Sequence, residues 1–454
     1  MTIRISLCLN LKVKFIKTKI ENLENSYKNK GSNPFELISF YKSAREDTEN
    51  ICKPLEIEDY VIQTTEDISP PKWHLGHTSW YFETFLLQKY KPGYKTFNEL
   101  FNFIFNSYYE TIGNRVKRSN RGALSRPTVK EIYEYRRYVD NHMLELLESP
   151  NIDFECVELI ELGLNHEQQH QELLITDIKN IFASNPLKPI YNNLTLKQST
   201  RIEPLKFIEI KGGVHEIGSS NIHFSFDNEK PKHKVLINDF KLHNRLITNN
   251  EYLEFINDGG YSDHRLWLSD GWDKICNENW NSPLYWEKLD DEWLIMTLSG
   301  QQKLNPFEPV CHVSFYEADA FSRWSKKRLP TEAEWEIAAQ NQENKEGNFL
   351  ENNNFHPIPN LDSKTKLSQM FGDTWEWTAS AYLPYPGYKQ PEGVFGEYNG
   401  KFMSNQMVLR GGSCATPKNH IRETYRNFFQ CDKRWQFSGI RLVETYCNTA
   451  GKEE

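Results

Sequence analysis

The sequence predicts a multidomain chain of mixed class, a four-helix bundle followed by an irregular, loop-rich α+β domain. Three observations carry this. The length of 454 residues exceeds what one core organises at roughly 150 residues per domain. Between residues 34 and 183, apolar positions recur at three- and four-residue spacing, the period of amphipathic helices. Between residues 205 and 445, short apolar runs are broken by Gly-Gly, Gly-Asp and Pro-Gly turns, with abundant tryptophan.

Residues 1–33 form an extension whose apolar and polar positions alternate with a strand-like period. Arg4, Asn10 and Lys12 interrupt any signal-peptide core, so a short strand, a weak targeting segment and an upstream start all stay open. Four helices then fill residues 34–183. The first is PFELISFYKSAREDTENIC. The second begins at Ser69-Pro70, with Ser as N-cap and Pro at the first helical position, and runs through WHLGHTSWYFETFLL. The third is RPTVKEIYEYRRYVDNHMLELLE. The fourth is ELIELGLNHEQQHQELLITDIKNIF, where Leu159, Leu162, Leu173, Ile178 and Ile181 mark the apolar stripe. Residues 184–204, rich in Asn, Pro, Lys and Thr, read as a linker. In the second domain two helices are clear, one opened by Ser314 with Glu317 and one by Thr331 with Glu334. Each pair fits a capping box. Residues 446–454 are a tail.

Net charge is −8, from 54 Lys+Arg against 62 Asp+Glu, which argues against nucleic-acid binding. No apolar run reaches the roughly 18 residues of a membrane span. The eight cysteines are scattered without a C-x-x-C pair, so reduced thiols in a cytoplasmic protein are expected.

Chemistry concentrates in histidines. His166 and His170 are four residues apart on a helix, hence about 40° apart around its axis, and the leucine-rich stripe turns both inward. Gln169 shares their side, whereas Glu167 and Glu172 fall away from it. Two imidazoles in a bundle core can share a divalent metal, although the same spacing also occurs in satisfied core pairs. HEQQH also fits the zinc-protease pattern H-E-x-x-H, but the continuation that supplies a third histidine is absent. His77 in WHLGH is the better third ligand, with His74, one turn away, as competitor. Three imidazoles would leave metal positions open for substrates.

The segments PPKWHLGHTSWYFETF, LNHEQQHQELLITDIK, RLPTEAEWE, GDTWEWTAS and LRGGSCATPKNHIRETYRNFF…RWQFSGIRL occur in the order of the EgtB family. The resemblance spans about Pro34 to Val443. It implies a DinB-like four-helix bundle followed by a formylglycine-generating-enzyme-like (C-type-lectin-like) domain. It further implies an iron(II)- and dioxygen-dependent enzyme that joins the sulfur of cysteine, or of γ-glutamylcysteine, to the imidazole of hercynine. The product would be the sulfoxide used in ergothioneine biosynthesis. Carried over residue by residue, it makes His77, His166 and His170 the iron ligands and places Gln169 near the substrate imidazole. Asn427 falls at the betaine site, where this chain continues with Phe428 and Phe429. An aromatic face there would suit the trimethylammonium cation. FNSYYETIG resembles the branch with adjacent N-terminal tyrosines. Tyr109 is therefore the preferred proton donor and Tyr108 the alternative. Arg115, Arg118, Arg121 and Arg126 are candidates for substrate carboxylates, one or two of them being expected to make contact. Cys414 reads as a small packed residue at a Gly-Gly turn. Sister reactions, 5-histidylcysteine sulfoxide or selenoneine synthesis, and a zinc hydrolase remain as alternatives.

Overall fold

A computed structural model of the chain describes residues 34–149, 152–193, 202, 204–220, 223–342, 345–360 and 366–445. The extension 1–33, residues 194–201 and 203 of the linker and the tail 446–454 lie outside these. Two compact units divide at Leu174, the first also taking in His223 and Phe224.

The first unit is helical, as its apolar period predicts. It contains α1 (Pro34–Cys52), α2 (Pro71–Phe82), a short α3 (Phe101–Phe105), α4 (Val129–Leu147) and the greater part of α5 (Phe154–Ser184). Helix α2 starts one residue later than the Ser69-Pro70 signal suggests. Pro70 holds the cap position and Pro71 opens the helix without needing an N–H partner. Ser69 does not cap it, and its hydroxyl accepts a hydrogen bond from Arg121 instead. Past Phe82 the helix widens into a π turn at Glu83–Leu87. There buried Glu83 takes hydrogen bonds from Tyr94, Tyr135 and the Phe97 amide. Helix α4 begins with a complete capping box of Thr128 and Glu131.

The second unit is built from short strands and turns. Strand order β1-β4-β12 makes one sheet, from Phe207–Ile210, Phe240–His243 and Val443–Thr445. Strands β2 (Gly213–Ile217) and β3 (His233–Ile237) form a two-stranded ribbon. Strands β5 (Trp286–Leu289), β6 (Glu292–Thr297) and β7 (Gly300–Lys303) form a meander. The central sheet has order β10-β9-β8-β11, from Asn427–Phe429, Met407–Arg410, Trp375–Ala381 and Ser438–Gly439. Both expected capping boxes are present, opening Phe315–Trp324 and Glu332–Gln340. Three further helices were not singled out from the sequence, the shortest being Gly393–Gly396. Asn249–Asn257 has its own Thr248 and Glu251 capping box, whereas Ser269–Glu278 has no side-chain cap. Cys414 is buried just after Gly411 (φ +101°) and Gly412 (φ +80°), a turn that only glycine makes without strain.

The motifs quoted above meet in this unit as a buried ion-pair framework. Glu376 of GDTWEWTAS is held by Arg441 of GIRL at 2.8 and 3.0 Å. Arg410 of LRGGS pairs with Glu336 at 2.8 Å, and Arg426 with Glu332 at 2.9 Å. The last turns of α5 also lie in this unit. There Lys179 donates to His312 at 2.8 Å, and Asn180 to the Tyr285 hydroxyl at 3.1 Å. Among the described residues, no helix is long and apolar enough to cross a membrane.

Candidate metal centre

Helices α2 and α5 bring His77, His166 and His170 together in the first unit. Each is buried, and one ligand atom from each lies within 4.8 Å of the other two. Nε2 of His77 is 3.1 Å from Nε2 of His166. Burial holds His166 down to about 3, and it keeps His77 and His170 well below the ordinary imidazole value. Nearby Arg121 and the neighbouring histidines push His77 and His170 the same way. The three rings are therefore neutral at physiological pH and keep lone pairs to donate.

His77 is fixed from several sides. Its Nδ1–H donates to the Phe105 carbonyl at 2.6 Å, which turns Nε2 toward the other histidines. Trp73 stacks on its ring at 4.6 Å and Trp80 at 5.5 Å. Their indole N–H groups donate to the Ile104 carbonyl and to Asn102. Gly76 makes this approach possible, because a Cβ there would come within 2.3 Å of the Phe105 ring. On α5, Gly163 likewise admits Tyr81, whose ring lies 5.2 Å from that of His166.

Glu167 takes the side of the helix that the sequence assigns it. It leaves the histidine side of the helix, yet it is fully buried, because another face of α5 packs on α1 and α4. Its Oε1 accepts from Arg136 at 2.6 Å and Thr48 at 2.8 Å, and its Oε2 accepts from Arg45 at 2.9 Å. Burial alone would raise its carboxyl, but the two guanidiniums outweigh that and hold it below the usual range. A carboxylate so committed cannot serve as the general base of a zinc hydrolase. Arg45 and Arg136 also reach Ser79 and Thr78, the two residues after His77.

The structure sorts the remaining candidates. Arg121 is buried, with its guanidinium 3.4 Å from the Trp73 ring centroid, and it belongs to the histidine surroundings. Arg115 pairs with Glu110 at 2.7 Å. Arg118 is exposed and donates to the Asp67 carbonyl, and Arg126 donates to its neighbour Ser125. Gln169 is half-buried on the face of α5 that carries His166 and His170. Tyr108 and Tyr109 lie in an irregular stretch, where adjacent rings can stack, and their centroids are 4.7 Å apart. Tyr109 is buried and meets Trp80 at 5.7 Å, one ring removed from His77; Tyr108 is half-buried.

In the second unit, Asn427, Phe428 and Phe429 occupy strand β10. Alternation along a strand puts Phe428 on the opposite sheet face from the other two. Phe428 stacks on Tyr382 at 4.0 Å, whereas Phe429 meets Trp435 at 5.3 Å. The three residues therefore do not form one aromatic wall. As substrate contacts they rest on the resemblance alone.

A helical unit with a buried neutral histidine triad, joined to an α+β unit, defines a two-domain protein with a candidate non-haem metal centre. The donor set fits a divalent first-row metal, since three uncharged imidazoles converge and the neighbouring Glu167 carboxylate is committed to Arg45 and Arg136. Residues 193–446 match the sulfatase-modifying factor enzyme 1-like domain family. Hercynine oxygenase of Mycobacterium tuberculosis is 30% identical over 302 residues, covering 62% of this chain and 70% of the relative. The Mycolicibacterium smegmatis hercynine oxygenase is 30% identical over 309 residues, covering 62% and 70% respectively. Ergothioneine biosynthesis protein 1 of Schizosaccharomyces pombe is 28% identical over 242 residues, or 51% of this chain and 29% of that protein. The chain belongs to the hercynine oxygenase family, with a sulfatase-modifying factor enzyme 1-like domain as its C-terminal part.

Proposed function

We propose that the protein is an iron(II)- and dioxygen-dependent sulfoxide synthase. It joins the sulfur of cysteine or γ-glutamylcysteine to the imidazole of hercynine. The observation that supports this reading is the buried triad of His77, His166 and His170, neutral and convergent, in a chain of this family. Iron(II), when bound, supplies electrons for dioxygen chemistry and a positive charge that favours a thiolate over a thiol.

The chain's own residues do the rest. His77, His166 and His170 would hold the ion. The aromatic walls of Trp73, Trp80 and Tyr81 keep the site dry, which strengthens each charge interaction inside it. Arg121, buried beside the triad, is the arginine best placed to receive a substrate carboxylate. Gln169 faces the substrate imidazole. Tyr109, or Tyr108 stacked on it, delivers a phenolic proton as sulfur is oxygenated.

The test is oxygen uptake by the anaerobically purified, iron(II)-loaded chain with cysteine and hercynine, followed by mass spectrometry of the product. A cysteine–hercynine sulfoxide that disappears in His166→Ala is the expected result. Uptake with histidine in place of hercynine would reassign the substrate. No uptake with any thiol and imidazole pair would refute the proposal.

A further inference from the structure

The triad has a fourth histidine beside it. His74, one turn before His77 on α2, is buried, and its Nδ1 lies 2.8 Å from Nδ1 of His170. Two imidazole nitrogens at that separation share one proton, so one ring donates and the other accepts. His170 determines the direction. Its Nδ1 is turned to His74, which leaves Nε2 as the nitrogen able to offer a lone pair to a metal. A neutral imidazole with its lone pair at Nε2 carries its proton on Nδ1, so His170 donates and His74 accepts. His77 shows the same polarity independently. Its Nδ1 faces the Phe105 carbonyl, which can only accept, and its Nε2 faces His166.

We propose that His74 is a positioning residue. It accepts the Nδ1 proton of His170 and so holds His170 in the tautomer and ring orientation whose Nε2 can ligate a divalent metal. This role rests on the reading of His77, His166 and His170 as the metal-holding set. It also answers the competition between His74 and His77. The two stand on one helix within a turn of each other, but His74 spends its Nδ1 on His170, and the convergent group among the described residues is completed by His77. The Phe105 carbonyl and the His74 ring thus do equivalent work for two ligands from two different elements. Outer partners of this kind are worth roughly 10- to 100-fold in metal affinity.

The test is anaerobic titration of the metal-free full chain with cobalt(II), read by its visible d–d absorption. In His74→Asn the amide oxygen stands where Nδ1 stood and can accept the same proton. In His74→Gln the oxygen lies one bond further out. His74→Ala is expected to weaken cobalt binding by about 10- to 100-fold and to alter the d–d spectrum. Asn is expected to restore most of both, and Gln is not. Thermal unfolding of the metal-free variants separates this from loss of fold. If the alanine variant does not fold, the Asn and Gln pair carries the comparison. Parent-like affinity in His74→Ala, or equal behaviour of Asn and Gln, would overturn the proposal. His166→Ala run in parallel keeps the two readings apart. If it abolishes cobalt binding while His74→Ala does not weaken it, only the role of His74 falls. If His166→Ala binds like the parent, the triad reading falls and the role of His74 with it.

Discussion

Glu167, adjacent to one candidate ligand, shows how much of the site is held by charge. Its carboxylate joins Arg45 of α1 and Arg136 of α4 to α5, and those arginines reach the residues after His77. Removing it leaves two guanidiniums buried with one fewer counter-charge. Glu167→Ala is therefore expected to cost roughly 3–5 kcal/mol of stability, read from denaturant unfolding; a loss below about 1 kcal/mol would mean that the network behaves like a surface pair. Tyr109→Phe tests the proton donor with little change of shape. It is expected to divert oxygen uptake from the sulfoxide adduct toward oxidation of the thiol alone, and an unchanged product ratio would assign the role to Tyr108 or elsewhere.

At the scale of elements, close packing of α2 and α3 sets the position of a ligand. Gly76 lets the Phe105 ring sit against the helix, and the Phe105 carbonyl orients His77. Gly76→Ala must push that segment away. Loss of both stability and cobalt affinity is expected, the affinity falling by roughly 10-fold as an outer partner is displaced; a variant that loses stability but binds cobalt like the parent would uncouple the two. In the second unit, Thr331 accepts from the Glu334 amide and opens helix Glu332–Gln340, which carries Glu332 and Glu336 to their arginines. Thr331→Ala is expected to cost about 1 kcal/mol, measurable as a shift in the urea midpoint.

At the scale of the whole molecule, buried histidines outside the metal centre contribute to the response to acid. Burial holds His243 at about 3, and it keeps His312 and His420 well below the ordinary value. In the unfolded chain each titrates near ~6.5. As pH falls through that value the unfolded state gains protons that the native state refuses, so stability falls with falling pH. Asp373 acts in the opposite sense. Burial raises its carboxyl to about 6, so below that pH the native state takes up a proton before the unfolded state does. The histidines outnumber it. Together these four groups therefore make stability fall with falling pH between about pH 6.5 and 5. Urea midpoints at about pH 7.5 and 5.5 check the slope, and equal midpoints would show that these histidines are not neutral in the native state.

The sequence by itself determined the helical first unit, the inward-facing pair His166 and His170 and both of the capping boxes it singled out. Each of these is written in spacing, and spacing along a helix converts directly into position on one face. It also placed Cys414 in a packed Gly-Gly turn, because a positive φ needs glycine locally. Only the tertiary structure decided what depends on partners distant in the chain. Ser69 and Pro70 looked like cap and first turn, but the hydroxyl was drawn instead to Arg121. Glu167 looked like a residue turned away from the site, and it became buried because Arg45 and Arg136 arrive from other helices. Arg115, Arg118 and Arg121 were indistinguishable in one basic run until Trp73 and Ser69 selected Arg121 for burial. His74 and His77 were rival ligands until His170 faced the first and His166 the second. Periodicity fixes which face a side chain takes; what waits on that face is settled by packing among elements far apart in sequence.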